Sequence, residues 1–389
     1  MIPYGRQNIS AADITNVVKA LKSDFLTQGP QVTKFEKEFS NYVGSTYSVA
    51  SNSATSSLHL ACLALGLSSK DVVWTSPISF VATSNAAIYC GAKVKFIDID
   101  ANTFNLCPKN LKKELEKAAK TKSLPKIVIP VHLCGQSADM KKIYALSKKY
   151  KFKIIEDASH AVGGSHYGSK IGSCQYSDIA VFSFHPVKII TSGEGGMSCT
   201  NKRVLADKMR LFMSHGITRD PKKLLTKEVG GWYYEQLELG FNYRLTDIQA
   251  ALGSSQLKRV DTFVKKRNIL AKRYIKLLSS LPLDLPEVND YNHSSFHLFV
   301  IRLPQNLQNK RREIFEDLKK SGIGVNVHYI PIYKHPFYQN AFKKVSEKNF
   351  PNAENYYSRA ISIPLYPDLS FSDQQKVAAA ITSSIANYL

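Results

Sequence analysis

The chain has 389 residues, 44% of them hydrophobic and 11% aromatic against 21% charged, which is ample apolar matter for a folded chain of roughly two to three domain equivalents and excludes disorder over any large part of it. Fifty-two Lys and Arg against 31 Asp and Glu leave a net charge of +21, compatible with nucleic acid, an anionic membrane face or small anionic ligands. The lysines, however, are spread along the whole chain, and the densest runs (Lys265-Lys266-Arg267, Lys310-Arg311-Arg312) are too short for a basic tail or arm. Six cysteines, at 62, 90, 107, 134, 174 and 199, form no CxxC pair, the chain opens MIPYGRQNIS without an apolar signal core, and no apolar run is long enough for a membrane span; a cytoplasmic protein with reduced thiols, no membrane contact and no nucleic-acid partner is expected.

In chain order, Phe35, Phe39 and Tyr42/Val43 recur at helical spacing and stop at Gly44, a strand candidate follows at Tyr47–Ala50, and Ala54–Leu65 reads as a helix ending at Gly66. The alternation continues: strand 71–75, helix 80–90, strand 93–98 (KVKFID), helix 109–120, strand 126–131 (KIVIPV), helix 138–149, strand 151–157 (KFKIIED), then buried strands IAVFSF (179–184) and GGMSCT (195–200). Such alternation predicts an α/β fold with a mostly parallel central sheet covered by helices. The loop region 216–240 is long enough to suggest a functional flap. From residue 246 the texture changes to one long or broken helix, and the remainder, with strand candidates 297–303 and 322–330 and helices near 308–320 and 371–387, reads as a smaller α+β domain. The expected division is a large domain 1–245 and a connector helix with a small domain 246–389.

Several familiar motifs fail. GGSHYGSK (163–170) approximates a phosphate-binding loop, but its lysine comes late and it is not set between a buried strand and a helix. No GxGxxG follows the first strand, and the histidines at 132, 160, 166 and 185 lack the spacing of a metal site. The informative stretches are EDASHAVGG (156–164) and VFSFHPVKIITSGEGG (181–196). They place two chemically able side chains, Asp157 at the end of one buried strand and Lys188 just beyond another, on the rim where open α/β sheets hold ligands. Either alone is most simply a solvated surface residue; the pair at one rim is not. NSATSS (52–57) opens an apolar helix, so its free N–H groups suit an anion, although an ordinary helix cap accounts for the same residues.

These segments together with GFNYRLTDIQAALG (240–253) resemble the DegT/DnrJ/EryC1/StrS sugar aminotransferases over nearly the whole chain. The resemblance implies a type I, aspartate-aminotransferase-like fold and pyridoxal 5'-phosphate as cofactor. It makes Lys188 the catalytic lysine that binds the cofactor aldehyde and moves the proton, and gives Asp157 to the pyridine nitrogen. His160 falls where many relatives carry a Gln that contacts the ring oxygen. Ala54, Thr55 and Ser183 become phosphate ligands, Phe80 a stacking partner of the ring, and Asn242 a phosphate contact from the neighbouring subunit of a homodimer. Thr27, Gln28, His215, His328 and Tyr329 lie in segments that face the substrate in relatives. Within the family, LTQGP (26–30), SPISFVAT (76–83) and HYIPIYKHPFY (328–338) are similar to members that use L-glutamate to aminate C4 of a UDP-linked 4-keto-6-deoxy-N-acetylhexosamine. Other UDP- or dTDP-linked keto sugars stay open as substrates. A dehydratase of the same family would have a histidine in place of Lys188, and a DNA-binding regulator would need a helix-turn-helix or concentrated basic face that the chain lacks.

Overall fold

The runs IVI and IAVFS, and the Ile154-Ile155 pair within KIIED, put apolar side chains on both faces, and strands of that kind are stable only inside a sheet covered on both sides. In the computed structural model, which describes residues 1–226, 230–341 and 345–389, they form the centre of a seven-stranded sheet. Its strands are β1 (Tyr47–Ser51), β2 (Val72–Thr75), β3 (Lys93–Phe96), β4 (Ile127–Ile129), β5 (Lys153–Asp157), β6 (Ile179–Ser183) and β7 (Gly196–Thr200), in the order β1-β7-β6-β5-β4-β2-β3. Strands β2 to β6 are mutually parallel, and β7 runs antiparallel to both β6 and β1.

This order decides where chemistry can happen. Parallel β5 and β6 pair Asp157 with Val181, so both strands deliver their C-terminal residues to one rim. Antiparallel β7 starts at that rim, because Gly196 pairs with Ser183 on one side and Ser51 on the other. Strand β1 therefore ends there too, and its continuation, Asn52-Ser53, turns directly into the helix Ala54–Ala64. Gly196 permits the close approach: a Cβ there would lie 2.4 Å from the carbonyl oxygen of Ser53 and 2.7 Å from the amide nitrogen of Ala54.

Of the long or broken helix expected from residue 246, the broken form is found: helices Asp247–Leu257 and Val260–Leu278, with the break at Lys258-Arg259. Val260, Phe263 and Val264 pack with Phe35, Phe39, Phe182 and Phe184 in the sheet's core. Leu270, Ala271, Tyr274 and Leu278 belong to a second core with Phe299, Ile314, Ile361, Val377 and Ile381. We propose that the two units meet within Val260–Leu278 rather than at 245/246. In the second unit Phe299–Arg302 pairs antiparallel with Ala360–Ile363. The strand expected at 322–330 is absent: that segment makes only isolated bridges, Ile323 to Ile2 and Asn326 to Ser362, because the chain leaves the second core here to reach the sheet rim. At the expected flap, Ile217–Thr218 pairs with Glu235–Gln236, and 227–229 lie outside the described residues. Among the described residues no helix is long and apolar enough to cross a membrane.

Candidate active site

A cavity of about 1000 Å³ opens at the rim where β1, β5 and β6 end and β7 begins. Its walls gather Ala54, Thr55, Phe80, Asp157, His160, Ser183, Lys188, His328 and Tyr329. Lys188 follows β6, its backbone turned by a bond from its amide to the carbonyl of His185. Burial pulls its ammonium group down to about 8, opposed by the nearby carboxylate of Asp157.

Asp157 is held at both oxygens. The Thr83 hydroxyl donates to Oδ2 (2.7 Å), and the hydroxyl and amide of Ser159 donate to Oδ1 (2.6 and 3.2 Å). Three donors fix the direction of the carboxylate, and Ser79, 2.6 Å from Thr83 Oγ1, extends the chain of hydroxyls behind it. Nearby, Ser53 caps the helix Ala54–Ala64 by accepting from the Ser56 amide (3.1 Å), and its carbonyl accepts from Ser57 (3.0 Å). That leaves the first two helical amides, of Ala54 and Thr55, as free donors beside the Ser183 hydroxyl, at the positive end of the helix dipole.

The opposite wall comes from the second unit, joined by His160 from the turn after β5, and is built of neutral rings. His160 lies 4.4 Å, ring to ring, from His297 and 5.9 Å from Tyr329. Burial first, and then the charge of Lys188, push His328 down to about 4; burial likewise holds His160 and His297 well below the ordinary histidine range. Burial keeps the Tyr329 phenol protonated. Phe80 is exposed at the mouth, its ring 6.2 Å from that of Tyr329; it precedes the helix Ala82–Tyr89 rather than lying in it.

Four sequence candidates lie outside this cavity: Thr27, Gln28, His215 and Asn242 are all exposed. Three of them share one strip of backbone. Thr27 bridges Thr246, Ser214 bridges Asn242, and the His215 amide bonds to the Phe241 carbonyl (2.9 Å). The exposed apolar side chains of Phe25, Leu26 and Leu239 belong to the same stretches of chain. Conversely, sequence reasoning passed over Thr83, Ser159, His297 and Asn326. Thr83 was within the quoted SPISFVAT and Ser159 within EDASHAVGG, whereas His297 and Asn326 carried no local signal.

The donor set fits pyridoxal phosphate: free amides and a hydroxyl for the phosphate, an aligned carboxylate for a ring N–H, and an amine of lowered basicity for the aldehyde. Comparison with known proteins agrees. The DegT/DnrJ/EryC1/StrS aminotransferase family model matches residues 7–382. The UDP-4-amino-4,6-dideoxy-N-acetyl-beta-L-altrosamine transaminase of Campylobacter jejuni is 40% identical over 98% of this chain and 97% of its own length. The spore coat polysaccharide biosynthesis protein SpsC of Bacillus subtilis is 40% identical over 98% and 96%. Among solved structures, Helicobacter pylori PseC, an aminotransferase of pseudoaminic acid biosynthesis, superposes with a TM-score of 0.90 at 31% identity over all of both chains. Spr1654 of Streptococcus pneumoniae in its PLP-form gives 0.90 at 26% identity over 100% of this chain and 99% of that one. The chain belongs to the DegT/DnrJ/EryC1/StrS aminotransferase family and is a pyridoxal-phosphate-dependent nucleotide-sugar aminotransferase.

Proposed function

We propose that the protein transfers the amino group of L-glutamate to C4 of a UDP-linked 4-keto-6-deoxy-N-acetylhexosamine, in a cytoplasmic pathway to a nonulosonic acid of the pseudaminic type. The observation that carries this reading is the match to the Campylobacter transaminase at 40% identity over 98% of the chain, together with the cavity that joins Lys188 to Asp157.

The Ala54 and Thr55 amides and the Ser183 hydroxyl would hold the cofactor phosphate, Phe80 would cover the ring, and Asp157 would stabilise a protonated ring nitrogen as an opposite charge. Bound there, pyridoxal phosphate supplies an aldehyde for Lys188 and an electron sink for the bond that breaks at the amine-bearing carbon. Lys188, once free as an amine, would take the proton from that carbon and return it to the carbon on the other side of the nitrogen, two bonds away. Burial lowers its pKa from the ordinary lysine range to about 8, which favours the neutral amine that a base requires. The neutral histidines of the facing wall add no cation that would compete with Lys188 for Asp157.

In this reading the functional unit is a homodimer in which the exposed strip with Thr27, Gln28, His215 and Asn242 completes the partner's cavity. Mixing two inactive variants, Lys188→Ala and Asn242→Ala, then restores part of the activity through hybrid dimers, each with one intact site; no recovery after subunit exchange refutes a shared site. For the substrate, the amine-loaded enzyme is offered a panel of UDP- and dTDP-linked 4-keto and 3-keto sugars, and products are read by mass spectrometry and NMR. Amination at C4 of the UDP-linked 6-deoxy-N-acetylhexosamine is expected. Exclusive turnover of another keto sugar would favour the second reading, a different surface-polysaccharide precursor, for which the equal identity to the Bacillus protein speaks.

A further inference from the structure

Two hydrogen bonds fix the state of His160. The amide N–H of Cys134 donates to Nδ1 (3.3 Å), so Nδ1 carries no proton, and Nε2 lies 3.0 Å from the hydroxyl of Tyr329. A neutral imidazole whose Nδ1 is an acceptor has its proton on Nε2. Nε2 therefore donates to Tyr329, and the phenolic proton of Tyr329 is left without an acceptor among the described residues, on a side chain that lines the cavity. Both nitrogens of His160 are thus engaged by protein, and the donor presented to a ligand at this point is Tyr329.

We propose that Tyr329 donates a hydrogen bond to the ring oxygen anion of bound pyridoxal phosphate, and that His160 is a positioning residue acting through Tyr329 instead of touching the cofactor. The proposal rests on the assignment of the cofactor to Lys188 and Asp157. His160 and Asp157 leave β5 on the same short turn, in which Ser159 holds the Asp157 carboxylate; the His160 carbonyl accepts from the Ser295 hydroxyl (2.8 Å), and the ring packs on His297. A turn that sets the carboxylate for the ring nitrogen therefore also sets, through His160, the direction of the Tyr329 hydroxyl. With Nε2–H as a fixed donor to its oxygen, that hydroxyl has one proton to offer and one direction left. Its acceptor must be an oxygen of the bound ligand, and the acidic oxygen of the cofactor ring is the one that gains most from a neutral donor.

The test reads the visible absorbance of the cofactor held at Lys188 as a function of pH. An anionic oxygen deprived of a donor holds a neighbouring shared proton more firmly, so Tyr329→Phe keeps the band and moves its pH midpoint up by about one unit. His160→Leu, which frees the hydroxyl to turn, moves it the same way. His160→Gln rescues the midpoint to within about 0.3 unit, because its oxygen takes the Cys134 N–H and its nitrogen donates to Tyr329. Nitrogen-15 spectra of histidine-labelled, cofactor-free protein, assigned against His160→Gln, show a neutral Nε2–H form of His160 across the neutral range. A midpoint unchanged in Tyr329→Phe, or an Nδ1–H or cationic His160, overturns the proposal. A wild type with no visible band, even after reconstitution with the cofactor, overturns the cofactor assignment first, and the two failures are thereby told apart.

Discussion

The two walls of the cavity are built on opposite principles. The sheet wall consists of strand ends and one helix start, in register with each other through β5, β6, β7 and β1, and it carries the charge and the free donors: Lys188, Asp157 and the amides of Ala54 and Thr55. The facing wall comes from segments far along the chain, near 297 and 326–329, and carries neutral rings. It is held from behind by the fully buried Arg267, which donates to the carbonyls of Phe296, His297 and Leu365 (3.2, 3.1 and 2.9 Å). One wall makes contacts that need a fixed charge and the other supplies an environment that keeps added charge out; damage to the first should remove chemistry, and damage to the second should shift its pH range.

The largest expected effect is at the sheet wall. Lys188→Ala abolishes the visible cofactor band and lowers kcat by at least about 10⁴-fold, the upper range for a general acid–base residue, since the nucleophile goes as well. Steady-state amine transfer and a spectrum of the purified variant check this, and turnover above about 0.01 per cent of wild type would refute it. Asp157→Asn keeps the shape and the Thr83 and Ser159 neighbours but removes the charge. It should cost about 10²–10³-fold in kcat, with the absorbance still present at saturating cofactor; a loss of less than tenfold would mean that the ring nitrogen is served by another group.

A subtler way to separate shape from charge is Gly196→Ala. The added methyl group meets Ser53 and Ala54 backbone at distances no side-chain rotation relieves, so the start of the helix Ala54–Ala64 must shift. Expected are a loss of about 1–3 kcal/mol in stability and roughly tenfold weaker cofactor binding, although residue 196 offers a ligand nothing of its own. Gly193→Ala is the control. It adds backbone strain at φ +82° with nothing within 4 Å of the new carbon, and cofactor affinity should stay within about twofold of wild type. Equal weakening by both would show that the helix start is not the anion grip.

The walls also differ in how far they could be read from the sequence. Asp157 and Lys188 were legible because one apolar run that must be a strand ends in a carboxylate and another is followed within a few residues by a lysine, and the helix start after Asn52 because small polar residues precede an apolar helix. The facing wall was not. GIGVNVHYI alternates like a strand, yet only Ile323 and Asn326 make bridges, and the segment bends so that Tyr329 meets a histidine on a distant turn. No local spacing reports such a contact. His297 was read as part of an apolar strand, and nothing in HLFVIRL marks its first residue as facing a cavity. The segments of Thr27, His215 and Asn242 were recognised by likeness, and the three residues do not line the cavity of their own chain.

The smallest expected effect tests the neutrality of the facing wall. His328 is held down to about 4 mainly by burial, whereas in the unfolded chain it titrates near its ordinary value of about 6.5. Between those values the unfolded state binds the extra proton and the folded state does not, so stability falls as pH drops from about 6.5 towards 4, and is fully present above 6.5. His160 and His297 add in the same direction, since burial lowers both. His328→Asn keeps a partner for Ser362, which lies 2.7 Å from His328 Nδ1 in the wild type, but has no proton to take up. Urea unfolding between pH 4 and 7 should therefore show a slope of stability against pH that is shallower by up to one bound proton in the variant, with the two proteins converging in slope above pH 7. Parallel lines throughout would mean that His328 is already charged in the folded protein, and the facing wall would then be a cationic surface competing with Lys188 for Asp157.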